Sequence, residues 1–233
     1  MIPLRDENPS ASVPIVTRGL IALNCLLFVY ELMLGPDLRG FVYSWGLVPE
    51  RVTLALRFGE EPWSGPAATL VTSMFLHGGW LHLIGNMWYL WIFGDNVEDR
   101  LGKMRFLFFY IVSGVVAGLI HYLANRSSRM PTVGASGAIA AVLGAYAVTF
   151  PRARVVTLIP LFFFFPVVAL PALLVLGLWF VFQFFSGTLS LASGAAAGGG
   201  GGVAWWAHIG GFAFGMIAIK ILAPRRRSRV SVR

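Results

Sequence analysis

The chain is poor in charge and in cysteine. Charged residues make up 12% of its 233 residues, whereas a soluble domain contains about 25%. Hydrophobic residues make up 57%, and the mean hydropathy is +0.75. A soluble core of this length could not bury so much apolar surface, so we expect a lipid bilayer around the chain. The lone cysteine, Cys25, excludes an intrachain disulfide and metal sites of the CxxC or Cys₄ type.

The net charge of +8 does not indicate a nucleic-acid partner. The basic residues lie mostly at the ends of apolar runs and form no stripe with base-contacting groups. Six spans would place 13 of the 18 Lys and Arg residues on the side of the N-terminus and 5 on the other side. Cytoplasmic loops carry such an excess. We therefore expect cytoplasmic termini, in a multi-pass protein of the cell inner (plasma) membrane.

The apolar runs predict an all-α polytopic membrane protein with six transmembrane helices. The first run lacks an Ala-x-Ala-like exit, so it is interpreted as a retained helix and not as a signal peptide. The predicted spans are 20–34, 80–94, 105–123, 134–150, 161–185 and 203–222. They divide the chain into a cytoplasmic segment 1–18, a membrane domain 19–223 with an extracytoplasmic loop 36–78 and a Gly-rich loop 186–202, and a basic tail 224–233.

Three polar groups lie at one depth of this arrangement. His82, Ser136 and His208 precede Arg100, Arg152 and Arg225 by 18, 16 and 17 residues, and the residues between are largely apolar. A helix rises 1.5 Å per residue, so all three groups would lie roughly 24–27 Å from the cytoplasmic face. They belong to the three spans that descend from outside to inside. A hydroxyl, an imidazole and a polar pair at one depth indicate an active site that opens to the extracytoplasmic side.

Ser136 and His208 are the candidates for nucleophile and base. Ser136 begins span four among small residues, where a helix N-terminus offers free N–H groups. A neutral histidine is the usual base for a serine hydroxyl, and no Asp or Glu lies at this depth on spans four to six. This pattern predicts a Ser–His dyad without an acid. Each residue also has a structural interpretation, as a small helix-packing serine or as a histidine that bonds a neighbouring helix.

His82 and Asn86 are four residues apart and therefore share a helical face. Both donate hydrogen bonds without a fixed charge, as an oxyanion pocket requires, although such a pair could instead hold two helices together. His77 and His121 are interpreted as structural or interfacial. The chain has no HExxH motif, and the carboxylates near the spans lie at the opposite face. We expect no metal and no cofactor.

Together, GASG at Ser136, AHIGG at His208 and HLIGN from His82 to Asn86 resemble the rhomboid family of intramembrane serine proteases. TSMFLH (72–77) and GDNVEDRLG (94–102) add to the resemblance. It implies a six-helix core with Ser136 as nucleophile and His208 as general base. It also implies an oxyanion hole formed by His82, Asn86 and the Ser136 backbone N–H. The implied substrates are single-pass membrane proteins, cut in or near the transmembrane helix.

Two positions depart from the family pattern. Ala68-Thr69 stands where many relatives carry Trp-Arg, in the first outer loop. Ala140 stands where some members have a Tyr that packs on the histidine, so support for the His208 ring must come from elsewhere. Pro166 and Pro171 in span five suit a mobile gate for the substrate. The alternative functions are an inactive protein that binds membrane clients, and a transporter with a histidine relay.

Overall fold

The computed structural model describes residues 1–59, 62–161, 163–192 and 204–224. The expected Gly-rich linker at 193–202 and most of the basic tail lie outside these ranges. In chain order the elements are β1 (Ile2–Asp6), α1 (Ile15–Met33), α2 (Leu38–Trp45), α3 (Pro49–Phe58), α4 (Ser64–Thr72), α5 (Trp80–Leu101), α6 (Lys103–Ala124), α7 (Ser136–Thr149), β2 (Arg154–Leu158), β3 (Val167–Pro171), α8 (Ala172–Ala192) and α9 (Trp205–Leu222).

The prediction of a polytopic helical bundle is confirmed. By length and composition α1, α6, α9 and residues 172–189 of α8 can each cross a membrane. A fifth candidate span consists of two parts, Ser64–Phe75, which contains α4 and a 3₁₀ turn, and α5. The two parts are bent by 79° relative to each other. Helix α7, which corresponds to the fourth predicted span, is apolar but has only 14 residues. Large apolar side chains on α1, α6 and α8 point outward, among them Leu26, Phe108 and Phe182, as lipid-facing surfaces do.

Helix α7 is the centre of the bundle. Its residues Gly137 to Ala147 are all buried, and α9, α6, α5 and α8 pack around it. Without a hydrophobic driving force between helices in lipid, close van der Waals contact holds such a bundle together. Gly144 lies against the carbonyl of Phe212, and Gly215 lies against the carbonyl of Ala141. These glycines bring the backbones of α7 and α9 into direct contact.

The carboxyl half of α5 fastens the N-terminal segment to the bundle. The buried Glu98 carboxylate accepts the backbone N–H groups of Val16 and Thr17 at 3.1 and 2.8 Å, and the Thr17 hydroxyl at 2.8 Å. It thereby satisfies N–H groups that the first turn of α1 leaves free. Asp99 accepts hydrogen bonds from Ala11 and Ser12. The GDNVED motif thus has a structural role that its sequence did not reveal.

A small antiparallel sheet, which the sequence analysis did not predict, lies at the end of α7 opposite Ser136. Its order is β1-β2-β3. The apolar run from Leu161 does not begin the fifth span, because β3 extends to Pro171 and α8 begins only at Ala172. Both prolines therefore precede the helix, and the predicted span 161–185 is wrong at its start. Since α8 continues to Ala192, the first residues of the predicted loop 186–202 are helical.

Replacing Gly144 with alanine should destabilise the bundle. The added methyl group would fall on the Phe212 carbonyl, and overpacking of this kind costs about 1–3 kcal/mol. Gly177→Ala in α8 is the matched control, because no atom lies within 4 Å of its added carbon. The free energy of unfolding in mixed micelles measures both. Equal stability of the two variants would contradict the proposed backbone contact.

Docking of β1 should weaken as the pH rises. Burial raises the pKa of Asp6 to about 6, with a smaller contribution from Asp95 and an opposing hydrogen bond from Tyr146. The protonated carboxyl is therefore favoured in the folded state, and its contribution, complete below the unfolded pKa of about 3.9, is lost as the pH rises through about 6. Hydrogen-exchange protection factors of β1 should fall over this range. In Asp6→Asn the protection factors should stay constant. The same fall in that variant would show that Asp6 is not the group that titrates.

Candidate active site

Ser136 and His208 lie within hydrogen-bond distance. The Nε2 atom of His208 is 2.7 Å from the Ser136 Oγ atom, although 72 residues separate them in the sequence. His208 is buried and Ser136 is half-buried. A hydroxyl this close to an unprotonated imidazole nitrogen can lose its proton to it, which is the geometry of an activated serine nucleophile.

The contact between α7 and α9 brings these two side chains together. Ser136 is the first residue of α7, and His208 lies in the first turn of α9. Gly211, three residues after His208, lies against the carbonyl of Gly137 and against the Ala140 side chain. A larger residue at 211 would force the helices apart, and the 2.7 Å distance between Oγ and Nε2 would be lost.

Side chains of helix α8 support the His208 ring, for which the sequence analysis had named no partner. The Nδ1 atom of His208 is 2.7 Å from Oε1 of Gln183, a buried amide. The Trp179 ring lies 5.9 Å from the imidazole, centroid to centroid. Trp205, on α9 itself, meets the imidazole edge-on at 6.5 Å. With alanine at position 140, the His208 ring is supported by these side chains of α8 and α9.

The sequence analysis missed Gln183 because it considered only Asp and Glu as partners for His208. Yet a signal was present, since Gln183 is the only glutamine of the chain and lies in the strongly apolar run LWFVFQFF. A polar amide in such a position must find a partner or remain unsatisfied in an apolar environment. His208 is that partner.

His82 and Asn86 lie beside the residue that comes two positions before Ser136. A methyl group built on Gly134 would fall on the His82 Nε2 atom and 3.5 Å from the Asn86 Nδ2 atom. The backbone at Gly134 has a φ of +125°, which favours glycine. The segment before Ser136 can therefore pass closely beneath both side chains.

The Asn86 Nδ2 atom is buried and has no hydrogen-bond partner among the described residues. An amide donor left free in this way costs free energy unless something binds it. On His82, Nδ1 faces the Gly78 backbone N–H at 3.4 Å, a weak bond in which Nδ1 accepts. A neutral ring that accepts at Nδ1 carries its proton on Nε2, the atom that lies beside Gly134.

The two remaining histidines lie outside this constellation. The His77 ring is buried, 5.2 Å from the ring of His82, and its backbone N–H donates to the Glu31 carboxylate. His121 bonds Thr132 at 2.9 Å through Nε2. Within the described ranges, no three His, Cys, Asp or Glu side chains are grouped as metal ligands. The chemistry that this site supports is attack by an activated hydroxyl, with donors beside it for a developing negative charge.

A family model described as "Rhomboid domain" matches residues 64–225. Presenilin-associated rhomboid-like protein A, mitochondrial, of Danio rerio is 31% identical over 153 residues, which are 63% of this chain and 35% of the relative. The Homo sapiens presenilin-associated rhomboid-like protein, mitochondrial, is 26% identical over 205 residues, covering 85% and 46% of the two chains. Rhomboid protein 1, mitochondrial, of Saccharomyces cerevisiae is 31% identical over 158 residues, covering 64% and 40%. The chain thus spans less than half the length of these curated relatives.

A fluorophosphonate probe should label Ser136 in the folded protein, because His208 can accept the Oγ proton. Labelling should disappear in Ser136→Ala, and in His208→Ala it should fall to the background of an unactivated serine. Mass spectrometry of the labelled peptide identifies the site. Ser113→Ala, which removes another buried serine, is the control. Undiminished labelling in His208→Ala would contradict the assignment of His208 as the base.

Proposed function

The chain belongs to the rhomboid family, and on this premise we propose that it is an intramembrane serine endopeptidase with a Ser136–His208 dyad. The observation that carries the proposal is the 2.7 Å distance between the Ser136 Oγ and His208 Nε2 atoms. The family acts on membrane proteins within the bilayer. We propose single-pass membrane proteins as the substrates of this chain, cut in or near the transmembrane helix.

In the first half of the reaction, Ser136 Oγ attacks the scissile carbonyl and His208 Nε2 takes the hydroxyl proton. A tetrahedral intermediate forms, with its negative charge on the former carbonyl oxygen. When the carbon–nitrogen bond breaks, His208 returns the proton to the leaving amine. The products are an acyl-enzyme, in which the upstream part of the substrate is bound to Ser136, and a released downstream fragment with a free amino terminus.

The developing oxyanion needs donors that are in place before the reaction. We assign this role to three donors: Nε2–H of His82 and Nδ2 of Asn86, both beside Gly134, and the backbone N–H of Ser136. The last lies in the first turn of α7, where N–H groups have no acceptor within the helix. Neutral donors suit this position because a fixed positive charge at this depth would be costly to bury.

The second half of the reaction returns the enzyme to its starting state. His208 removes a proton from a water molecule, which attacks the acyl carbon. When the bond between this carbon and Ser136 Oγ breaks, His208 returns the proton to Oγ, and the upstream fragment leaves with a new carboxyl terminus. The scissile carbonyl of a helical substrate is blocked by its own helix hydrogen bond. Local unwinding must therefore precede attack, and Gly or Pro near the cut site should favour it.

The helices establish a multi-pass membrane protein, and its sidedness is part of the proposal. The excess of basic residues supports termini on the cytoplasmic side and a site that opens to the opposite side. The three relatives described above carry the word mitochondrial in their names. A plasma-membrane location for this chain therefore rests on its charge asymmetry alone.

Cleavage of a single-pass substrate in proteoliposomes tests the proposed function. Wild-type protein should cut a substrate whose transmembrane helix contains a Gly-Pro-type break, and Ser136→Ala should not. Asn86→Ala should lower kcat by about 10²–10³-fold, the loss typical of one oxyanion donor. Thr188→Val, which alters a hydroxyl that donates to the Phe184 and Phe185 carbonyls of its own helix, should retain activity. Substrate binding without cleavage by the folded wild type would refute the protease and favour a client-binding protein.

A further inference from the structure

His208 has two ring nitrogens, and only one of them faces Ser136. The other, Nδ1, faces the Oε1 atom of Gln183 at 2.7 Å. Gln183 is 6% exposed and His208 is 8% exposed, so water competes little for this bond. Helices α7, α8 and α9 contain no Asp or Glu. No carboxylate from these three helices can therefore orient the imidazole.

The Gln183 bond selects the tautomer of His208. An amide oxygen has no proton to give, so Nδ1 must be the donor in this contact. A neutral imidazole carries one proton. If this proton is on Nδ1, Nε2 presents a lone pair to the Ser136 hydroxyl. The opposite tautomer would present an N–H to Ser136 and could not accept its proton.

We propose that Gln183 is a positioning residue that, from α8, holds His208 in the base-competent tautomer, so that the site is a Ser136–His208–Gln183 array. This inference rests on the proposed protease function. Gln183 contacts neither the substrate nor the reacting atoms in this scheme. It acts through the imidazole, in the way that acceptors bonded to the far ring nitrogen orient functional histidines in other proteins.

The surroundings explain why an amide fits better here than a carboxylate. The bond lies between Trp179 and Trp205, whose rings flank the imidazole. An ionised carboxylate at this apolar site would carry a desolvation cost of several kcal/mol. A neutral amide fixes the same proton position at lower cost, but it contributes no full charge to stabilise the imidazolium. The Trp179 ring limits rotation of the imidazole from one face.

Kinetics of Gln183 variants in the cleavage assay test the positioning role. Gln183→Met keeps the length of the side chain without a strong acceptor. It should lower kcat by about 10- to 100-fold, as loss of a histidine-orienting partner does elsewhere, with KM unchanged. Once ionised, the carboxylate of Gln183→Glu can only accept. Its charge costs folding free energy at this apolar site, but it fixes the same proton on Nδ1, so kcat should stay within a few-fold of wild type. Its negative charge should also move the acidic limb of the pH profile to higher pH, because it favours protonated His208.

The control variant is Thr188→Val on the same helix, which should match wild type in kcat, KM and pH profile. Gln183→Met with the same three values as Thr188→Val would overturn the inference. A fall in activity of both Gln183→Met and Gln183→Glu, without a pH shift in the latter, would also overturn it, since a merely structural role gives that result.

A measurement without substrate separates this inference from the proposed function. In protein labelled with ¹⁵N-histidine at pH 8, the His208 resonances should show a protonated Nδ1 and an unprotonated Nε2. His208→Ala assigns the signals, and Gln183→Glu should keep the pattern even if Gln183→Met does not fold. A proton on Nε2 in the wild type would refute the positioning role. An Nδ1 proton in a protein that cleaves no substrate would refute the protease and leave the positioning role standing.

Discussion

The structure depends above all on the contact between the backbones of α7 and α9. Side chains on Gly144, Gly211 or Gly215 would meet carbonyl groups of the opposite helix, so the two helices can lie this close only with glycine at these positions. Two features of the site follow from that contact. It sets the separation of Oγ and Nε2, and it leaves α7 buried along its length while α5, α6 and α8 surround it. Small residues thus determine the position of the reactive ones.

A second set of bonds holds the opposite end of the bundle. Glu98 and Asp99 of α5 bind the segment that leads into α1. The Trp88 indole of α5 donates to the Pro3 carbonyl at 2.7 Å. The Tyr146 hydroxyl of α7 donates to the Asp6 carboxylate at 2.5 Å. These bonds connect the N-terminal segment to the helix that carries His82 and Asn86 and to the helix that begins with Ser136. The polar groups at this end fix the same two helices whose opposite ends form the site.

The sequence predicted the helical bundle, and it selected Ser136, His208, His82 and Asn86 before any coordinates. Their shared depth pointed to one site because a helix has a constant rise and the bilayer gives all spans a common reference plane. In the structure Ser136 and His208 are in contact, and His82 and Asn86 lie beside Gly134. The shared depth could not reveal Gln183, since which faces of α8 and α9 meet depends on packing and not on depth. The β2–β3 hairpin was missed for a related reason. The periodicity of an apolar run such as LFFFFPVVALP does not distinguish a strand from a helix. Val167-Val168 within this run and Val155-Val156 before it belong to strands β3 and β2.

The connection from β3 into α8 has a mechanical consequence. The Ala172 and Leu173 backbone N–H groups donate to the carbonyls of Ala153 and Pro151, so the first turn of α8 is anchored beside the end of α7. Any tilt of α8 must therefore pivot near Ala172. Gln183 lies eleven residues along, a lever arm of about 17 Å, and a tilt of about 10° would carry its amide roughly 3 Å. That displacement exceeds the tolerance of a hydrogen bond. An outward tilt of α8 would break the bond between Gln183 and His208 Nδ1, so that the proton of the imidazole would no longer be held on Nδ1. Return of the helix would restore the bond. One rigid movement of α8 would thus couple access to the site with the tautomer of its base.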